Sequence, residues 1–284
     1  MDCVSVGTTH RSRCRIMRIA ILSDIHSNLA AFEAVLADLQ GQAVDHVVIN
    51  GDVINGGPDP RECLDLARAT GYTLLAGNHE RYIRDYDLPV RPPEWASDLW
   101  KPSLWTVNQF SQAERAALHN LATTYHTDDL LVVHASPRHD QDSVFAITPQ
   151  RELAAMFVDT PQTIIRSHNH IPQFRPWDGR MIVTTGAVGQ PLDGNPWAKY
   201  AIAERKPQGW RVKHRVVIYD IETTVKRFHS SGYYEAAYPM SRLYLREVQL
   251  GTHHVVPFLR LHQQWLKADP QLSSEQAIKR FLEL

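Results

Sequence analysis

Seven side chains able to bind a metal ion fall in five short motifs. The motifs are Ser23-Asp24-Ile25-His26, Gly51-Asp52, Gly77-Asn78-His79-Glu80, His134 and His168-Asn169-His170. Asp24, His26, Asp52, Asn78, His134, His168 and His170 bring two carboxylates, one amide oxygen and four imidazoles. That set suits hydrolysis of a phosphate ester by two cations. Such esters resist attack because a negative nucleophile must approach a negative centre. Paired cations neutralise the phosphoryl oxygens and lower the pKa of a water between them, so that hydroxide exists near neutral pH. The ions sit roughly 3.5–4 Å apart, so one carboxylate must serve both. Asp52 is the natural bridge, with Gly51 leaving room beside it. Oxygen and imidazole donors suit Mn, Fe, Zn or Ni better than Mg or Ca. The leaving oxygen also needs a proton, which an imidazole beside the metals can give. Each motif alone is a common turn or an ordinary histidine; the ordered combination carries the argument.

The elements around these motifs alternate. Arg18 to Ser23 is a short apolar run, and Leu29, Phe32, Val35, Leu36 and Leu39 then recur at helical spacing. Val44 to Asn50 reads as a second strand, Asp59 to Ala69 as a helix with Pro60 in its first turn, and Tyr72 to Ala76 as a third strand. Strand, loop, helix repeated predicts parallel strands joined by helical crossovers. Each motif then lies at the carboxyl end of a strand, where open α/β sheets place their ligands. Residues 86–110, with four prolines and three tryptophans, read as an irregular excursion. A helix from Ser111 follows, with Glu114 closing a capping box. Leu130 to Val133 and Thr163 to Arg166 read as strands delivering His134 and His168/His170, with a helix opening at Thr148-Pro149 between them. Beyond them the pattern turns β-rich: Gln173 to Trp177, Met181 to Thr185, Tyr200 to Glu204 and Trp210 to Tyr219. Asp178-Gly179 signals a hairpin. The tail from about residue 221 reads as mixed, ending in two helices, the last capped by Ser273 and Gln276.

Bulk properties narrow the setting. Hydrophobic content of 43% and charged content of 21% are those of an ordinary globular protein. A formal charge of −1 gives no argument for a nucleic-acid polymer or an anionic membrane as partner. No apolar run approaches a membrane span. Cys3, Cys14 and Cys63 form no Cys-x-x-Cys pair, which points to a reducing, cytoplasmic setting. Residues 1–16, ahead of Met17, read as a disordered extension or a misassigned start. The remaining 17–284 read as one domain, with a core to about 220 and an appendage over 221–284.

The series Asp-x-His, Gly-Asp, Gly-Asn-His-Glu, His, His-x-His resembles the calcineurin-like metallophosphoesterase superfamily over roughly residues 17–220. The resemblance implies an α/β fold of four layers (αββα), two mixed sheets flanked by helices, here with a short mixed or helical C-terminal extension. It implies one metal on Asp24, His26 and His170, another on Asn78, His134 and His168, and Asp52 bridging. A metal-bridging hydroxide would attack, with His79 as general acid. Manganese is the expected metal, with Fe, Zn or Ni as alternatives. Ser27-Asn28 and Gly56-Gly57-Pro58-Asp59-Pro60 resemble the bacterial branch of small phosphodiesterases. Three departures stand out. Ser167 replaces the usual Gly before His-x-His, which matters if that position needs positive φ. Asn55 stands where many members have Asp. Asn55-Gly56-Gly57 replaces the Asp-Arg-Gly of the protein phosphatases, which leans away from phosphoprotein substrates.

The expected activity is therefore hydrolysis of phosphodiesters or phosphomonoesters on small or nucleotide-type substrates. The alternatives are an inactive scaffold of the same fold, a dinucleoside polyphosphate hydrolase and a protein phosphatase. Asn28 and Arg138 are candidate substrate contacts, Arg138 as a bidentate phosphate ligand. Trp95, Trp100 and Trp105 read as packing of the excursion, with stacking on a nucleobase as the other reading. His253, His254 and His262 read as solvated or helix-face residues.

Overall fold

The computed structural model describes residues 17–284, so the expectation for residues 1–16 lies outside the described residues. Ten strands form two sheets. They are β1 (Arg18–Leu22), β2 (His46–Asn50), β3 (Thr73–Leu75), β4 (Thr124–Thr127), β5 (Leu130–Val133), β6 (Thr163–Arg166), β7 (Gln173–Trp177), β8 (Arg180–Thr184), β9 (Ala198–Lys206) and β10 (Gly209–Val217). The first sheet runs β10-β9-β1-β2-β3 and the second β4-β5-β6-β8-β7. Both are mixed: β1, β2 and β3 are parallel, as are β5, β6 and β8, while β9, β10, β4 and β7 add antiparallel edges.

The alternation of side chains along each strand builds the layers. Ile19 and Ile21 of β1 face inward with Val48, Leu75, Leu130, Val132, Ile165 and Val183, filling the space between the sheets. Ala20 and Leu22 point the other way, onto Phe32 and Val35 of the helix Leu29–Gln40 and Leu64 of the helix Pro60–Ala69. On the far side, Leu131, Val133, Ile164 and Ile182 pack under Leu153 and Met156 of the helix Gln150–Met156. Strands buried on both faces read as unbroken apolar runs, as RIAIL does. The result is helix, sheet, sheet, helix: the expected four-layer sandwich.

Trp177 pairs with Arg180, and Asp178 (φ 45°) and Gly179 (φ 70°) both take the left-handed turn that a two-residue hairpin requires. The capping boxes at Ser111/Glu114 and Ser273/Gln276 are formed. The excursion is more ordered than expected. It contains the helix Lys101–Asn108, with Pro102 in its first turn, where a missing N–H removes no hydrogen bond. The tail carries five helices, Ile221–Ser230, Tyr233–Ala236, Ser241–Leu250, Val255–Ala268 and Ser274–Leu282.

Candidate metal centre

The motifs meet beyond the carboxyl ends of β1, β2, β3, β5 and β6. Asp24, His26, Asp52 and His170 each offer a ligand atom, all within 4.8 Å of one another; so do Asp52, His134 and His168. Asp52 belongs to both groups. Asn78 joins the second, its Oδ1 lying 3.0 Å from His134 Nε2 and 2.9 Å from His168 Nδ1. All seven side chains are buried except half-buried His168.

Hydrogen bonds fix the tautomers. Nδ1 of His26, His134 and His170 faces the backbone carbonyls of Asn55, Asn50 and Gln190 at 2.9, 2.9 and 2.6 Å. A carbonyl only accepts, so each Nδ1 carries a proton. In the neutral rings Nε2 therefore turns a lone pair inward. The Nε2 atoms of His26 and His170 stand 3.1 Å apart, so without a cation one of the two rings must carry a second proton. Neither carboxylate oxygen of fully buried Asp24 has a hydrogen-bond partner. Its ion-pair contact among the described residues is His170 Nε2, 3.4 Å from Oδ1, and a buried charge so thinly compensated costs several kcal/mol. Cations among these donors resolve both conflicts, and the mixture of imidazole and carboxylate suits divalent transition metals.

The protonation pattern follows the same crowding. Burial, then His79 and His170, depresses the His26 pKa to about 3; burial, then His134 and Arg166, depresses His168 to about 3. Burial also opposes charge on His134, but Asp52 outweighs it and raises the ring to about 9. Asp52 is held well below the usual carboxylate range, where His134, His79 and His26 overcome its burial.

The loops bearing these groups are tightly held. Asp24, His26, Asp52, His168 and His170 all have left-handed backbones, with φ of 54°, 48°, 53°, 68° and 59°. Such strain persists only where the surroundings impose it, and it clusters at functional sites. Glu80 supplies part of the constraint. Its buried carboxylate accepts the backbone N–H groups of Asp52, Val53 and Gly77 at 2.8 Å each and of Ile54 at 3.3 Å. Gly51 (φ 80°) and Gly77 let the two loops touch: a Cβ on Gly77 would strike Asp52 Oδ1. Arg166, fully buried, donates to the carbonyls of Ala135 and Asp142 at 2.8 and 2.6 Å and to Asn169 Oδ1. It thereby links the His134 loop to the His168–His170 loop, and burial lowers its pKa to about 9. Ser167 is absent from the left-handed positions. Its hydroxyl accepts from Asn50 Nδ2 at 2.9 Å and bonds Thr185 at 3.0 Å, so this departure adds contacts rather than strain.

Residues 17–186 match the sequence profile described as calcineurin-like phosphoesterase. The chain belongs to that family. A metallophosphoesterase structure from Sphaerobacter thermophilus is 32% identical, covering 83% of this chain and 99% of its own, with a TM-score of 0.65. The hypothetical protein PH1004 of Pyrococcus horikoshii shares the fold at 18% identity and a TM-score of 0.67, covering 84% of this chain and 100% of its own. The uncharacterized protein MJ0912 of Methanocaldococcus jannaschii is 25% identical over 229 residues, 74% of this chain and 90% of that protein. Together with the clustered Asp and His side chains, membership in this phosphoesterase family points to a dinuclear metal site.

A cleft of ≈ 290 Å³ opens onto Asp52, His26, His79, His168 and His170. His79 stands at its edge with Nε2 3.9 Å from Asp52 Oδ2, and its backbone N–H donates to Asp52 Oδ1 at 2.9 Å. Asn28 does not face the cleft. It caps the helix Leu29–Gln40 through Ala31 N, accepts from Thr224 and donates to Gly189 O and Tyr219 Oη, so its amide is fully used by the fold. Arg138 lines a separate cleft with Arg81, Arg84 and Asp140, its guanidinium paired with Asp142 and Glu152. Trp95 stacks on Trp100 at 4.5 Å, Trp100 meets Tyr82, and Trp105 packs on Tyr233.

The tail reaches the cleft, which sequence reasoning missed. Tyr244, Glu247, His253, Val255, Val256 and Arg260 line it. His253 is thus a cleft residue, and His262 is buried beside Phe258 rather than solvated. Glu247 accepts the N–H groups of His254 and Val255 at 2.7 and 2.8 Å and binds the Gln190 side chain. The Gln190 carbonyl in turn orients His170. A glutamate alone in a helical tail gives no sequence signal for this role. The Glu80 role had one, its place in the Gly-Asn-His-Glu motif, three residues beyond Gly77.

Among the described residues no helix is long and apolar enough to cross a membrane.

Proposed function

We propose that the chain is a dinuclear-metal-dependent phosphoesterase acting on small or nucleotide-type phosphodiesters or phosphomonoesters. One observation carries the reading: two ligand groups within 4.8 Å share Asp52, the arrangement a pair of neighbouring cations needs. Asp24, His26 and His170 would hold one ion, Asn78, His134 and His168 the other, and Asp52 both. Bound there, the ions would neutralise phosphoryl oxygens and acidify water. Manganese suits the donors, as do Fe, Zn and Ni. His79 is the proton donor in this reading. Its Nε2 stands 3.9 Å from Asp52 Oδ2 in the lining of the cleft; burial lowers its pKa and favours the neutral ring, so the ring must take up the proton that it delivers. The cysteine usage, with Cys63 free and buried, fits the cytoplasm.

Metal analysis and a panel with Mn-loaded protein test this. The panel comprises aryl phosphate, bis-aryl phosphate, cyclic nucleotides and dinucleoside polyphosphates. Asp52→Asn should abolish turnover and lower metal content. His79→Asn should keep its metal and lose roughly 10²–10⁴ in kcat. Full activity in Asp52→Asn would overturn the reading. A wild-type protein that takes up no metal and hydrolyses nothing would leave the scaffold alternative.

A further inference from the structure

The cleft wall contributed by the tail has a chemistry that the metal centre does not require. Val256 and Arg260 lie four residues apart on the helix Val255–Ala268, so they share a face, and both line the cleft. His253 stands just before that helix, also in the lining. The lining also includes Phe145, 44% exposed, beside Val256, 46% exposed. Large apolar side chains left half open beside a polar centre are suited to a flat or apolar ligand body.

Arg260 is distinctive by place: among the described residues it is the one guanidinium lining this cleft. Those of the separate cleft are neutralised: Arg81 by Asp140, Arg84 by Asp85, Arg138 by Asp142 and Glu152. Arg260 is exposed, and its guanidinium makes no ion pair or hydrogen bond among the described residues. The carboxylate nearest in sequence on the cleft wall, Glu247, is committed to His254 N, Val255 N and Gln190. An unpaired guanidinium on the rim of an anion-processing cleft has a planar fork free for a phosphate or carboxylate.

We propose that Arg260, with His253, forms a second-anion subsite, so that the cleft selects phosphoesters whose leaving portion carries a further phosphate or carboxylate across an apolar body resting on Phe145 and Val256. The proposal rests on the phosphoesterase reading for the placement of the scissile group near Asp52 and His79. It assigns selectivity, not chemistry, to the tail: the core processes the ester, and the rim chooses what is attached to it.

Calorimetry of the Mn-loaded His79→Asn protein with adenosine 5′-monophosphate and adenosine 3′,5′-bisphosphate reads the subsite with turnover suppressed. The bisphosphate should bind about tenfold tighter, the size of one charged hydrogen-bonded contact discounted for exposure. Arg260→Gln should remove most of that preference, Arg260→Lys should keep part of it, and Arg260→Glu should reverse it. Replacing the second phosphate by a carboxylate on a nitrophenyl phosphate separates the two anion sources. A protein that retains Arg260 yet is indifferent to the second phosphate, or a preference that survives Arg260→Gln, would overturn the subsite. Turnover of the same ligands by the wild-type protein distinguishes the underlying reading. Binding preference without any hydrolysis would refute the phosphoesterase reading and leave the subsite standing, and hydrolysis without preference would do the reverse.

Discussion

Glu80→Gln is the sharpest probe of how the fold holds the bridging aspartate. The substitution preserves shape and removes one acceptor. In the wild-type structure Oε2 accepts from Asp52 N and Gly77 N, and Oε1 from Val53 N and Ile54 N. A glutamine has one oxygen and one NH2. Whichever way it turns, the NH2 faces two N–H donors and leaves both unsatisfied in a buried site. Each stranded donor costs about 1–3 kcal/mol. Against this stands one gain. Burial and the Asp52 carboxylate push the Glu80 pKa up to about 7, so removing its charge relieves some repulsion. The balance should be a destabilisation of about 2–4 kcal/mol. Urea unfolding of metal-free protein measures it, and a Mn titration should show affinity reduced about 10–100-fold because the Asp52 loop has lost its anchor. Stability within about 0.5 kcal/mol of wild type, the range of ordinary surface changes, would refute the reasoning.

Two further outcomes follow from the same centre. In metal-free protein His26 and His168, held near 3, bind fewer protons folded than unfolded, so stability rises with pH from about 3 to 6.5; Glu80, raised to about 7, opposes this above 4.5 but is one group against two. His134, raised to about 9, and His170, also raised, hold extra protons when folded, so stability falls from 6.5 to 9; the melting midpoint should peak near pH 6.5 and shift upward with Mn, and a metal-free midpoint climbing through pH 9 would contradict this. Arg166→Met strands the acceptors on Ala135 and Asp142 and leaves Asn169 Oδ1 with Val144 N, and should cost about 2–4 kcal/mol in urea unfolding and about tenfold or more in Mn affinity. Unchanged Mn affinity would reduce Arg166 to a packing residue.

The centre and the sandwich were legible in the sequence for one reason. Each motif follows a strand, and doubly buried strands declare themselves as apolar runs. RIAIL before Asp24 and LLVV before His134 are examples. The hairpin at Asp178-Gly179 was legible because two adjacent left-handed residues leave few choices of type. The strand Thr124–Thr127 was missed because TYHT, only partly buried, is short and polar. The helix Lys101–Asn108 was hidden among prolines, one of which merely opens it. Asn28 and Arg138 were singled out by neighbourhood in sequence. Which way a side chain points depends on distant partners, here Thr224 and Tyr219 for one and Asp142 and Glu152 for the other. The tail's share of the cleft was invisible for the same reason.

The link from Glu247 through Gln190 to His170 has a consequence for how such a chain can diversify. Helices packed behind a site can be altered freely only where no residue of the site rests on them. Here one carboxylate ties the tail to the residue whose carbonyl orients a ring nitrogen, so exchanging the tail would alter the setting of that imidazole. The outward residues of the tail carry no such link, so selectivity can be re-engineered there while Glu247 and Gln190 are kept.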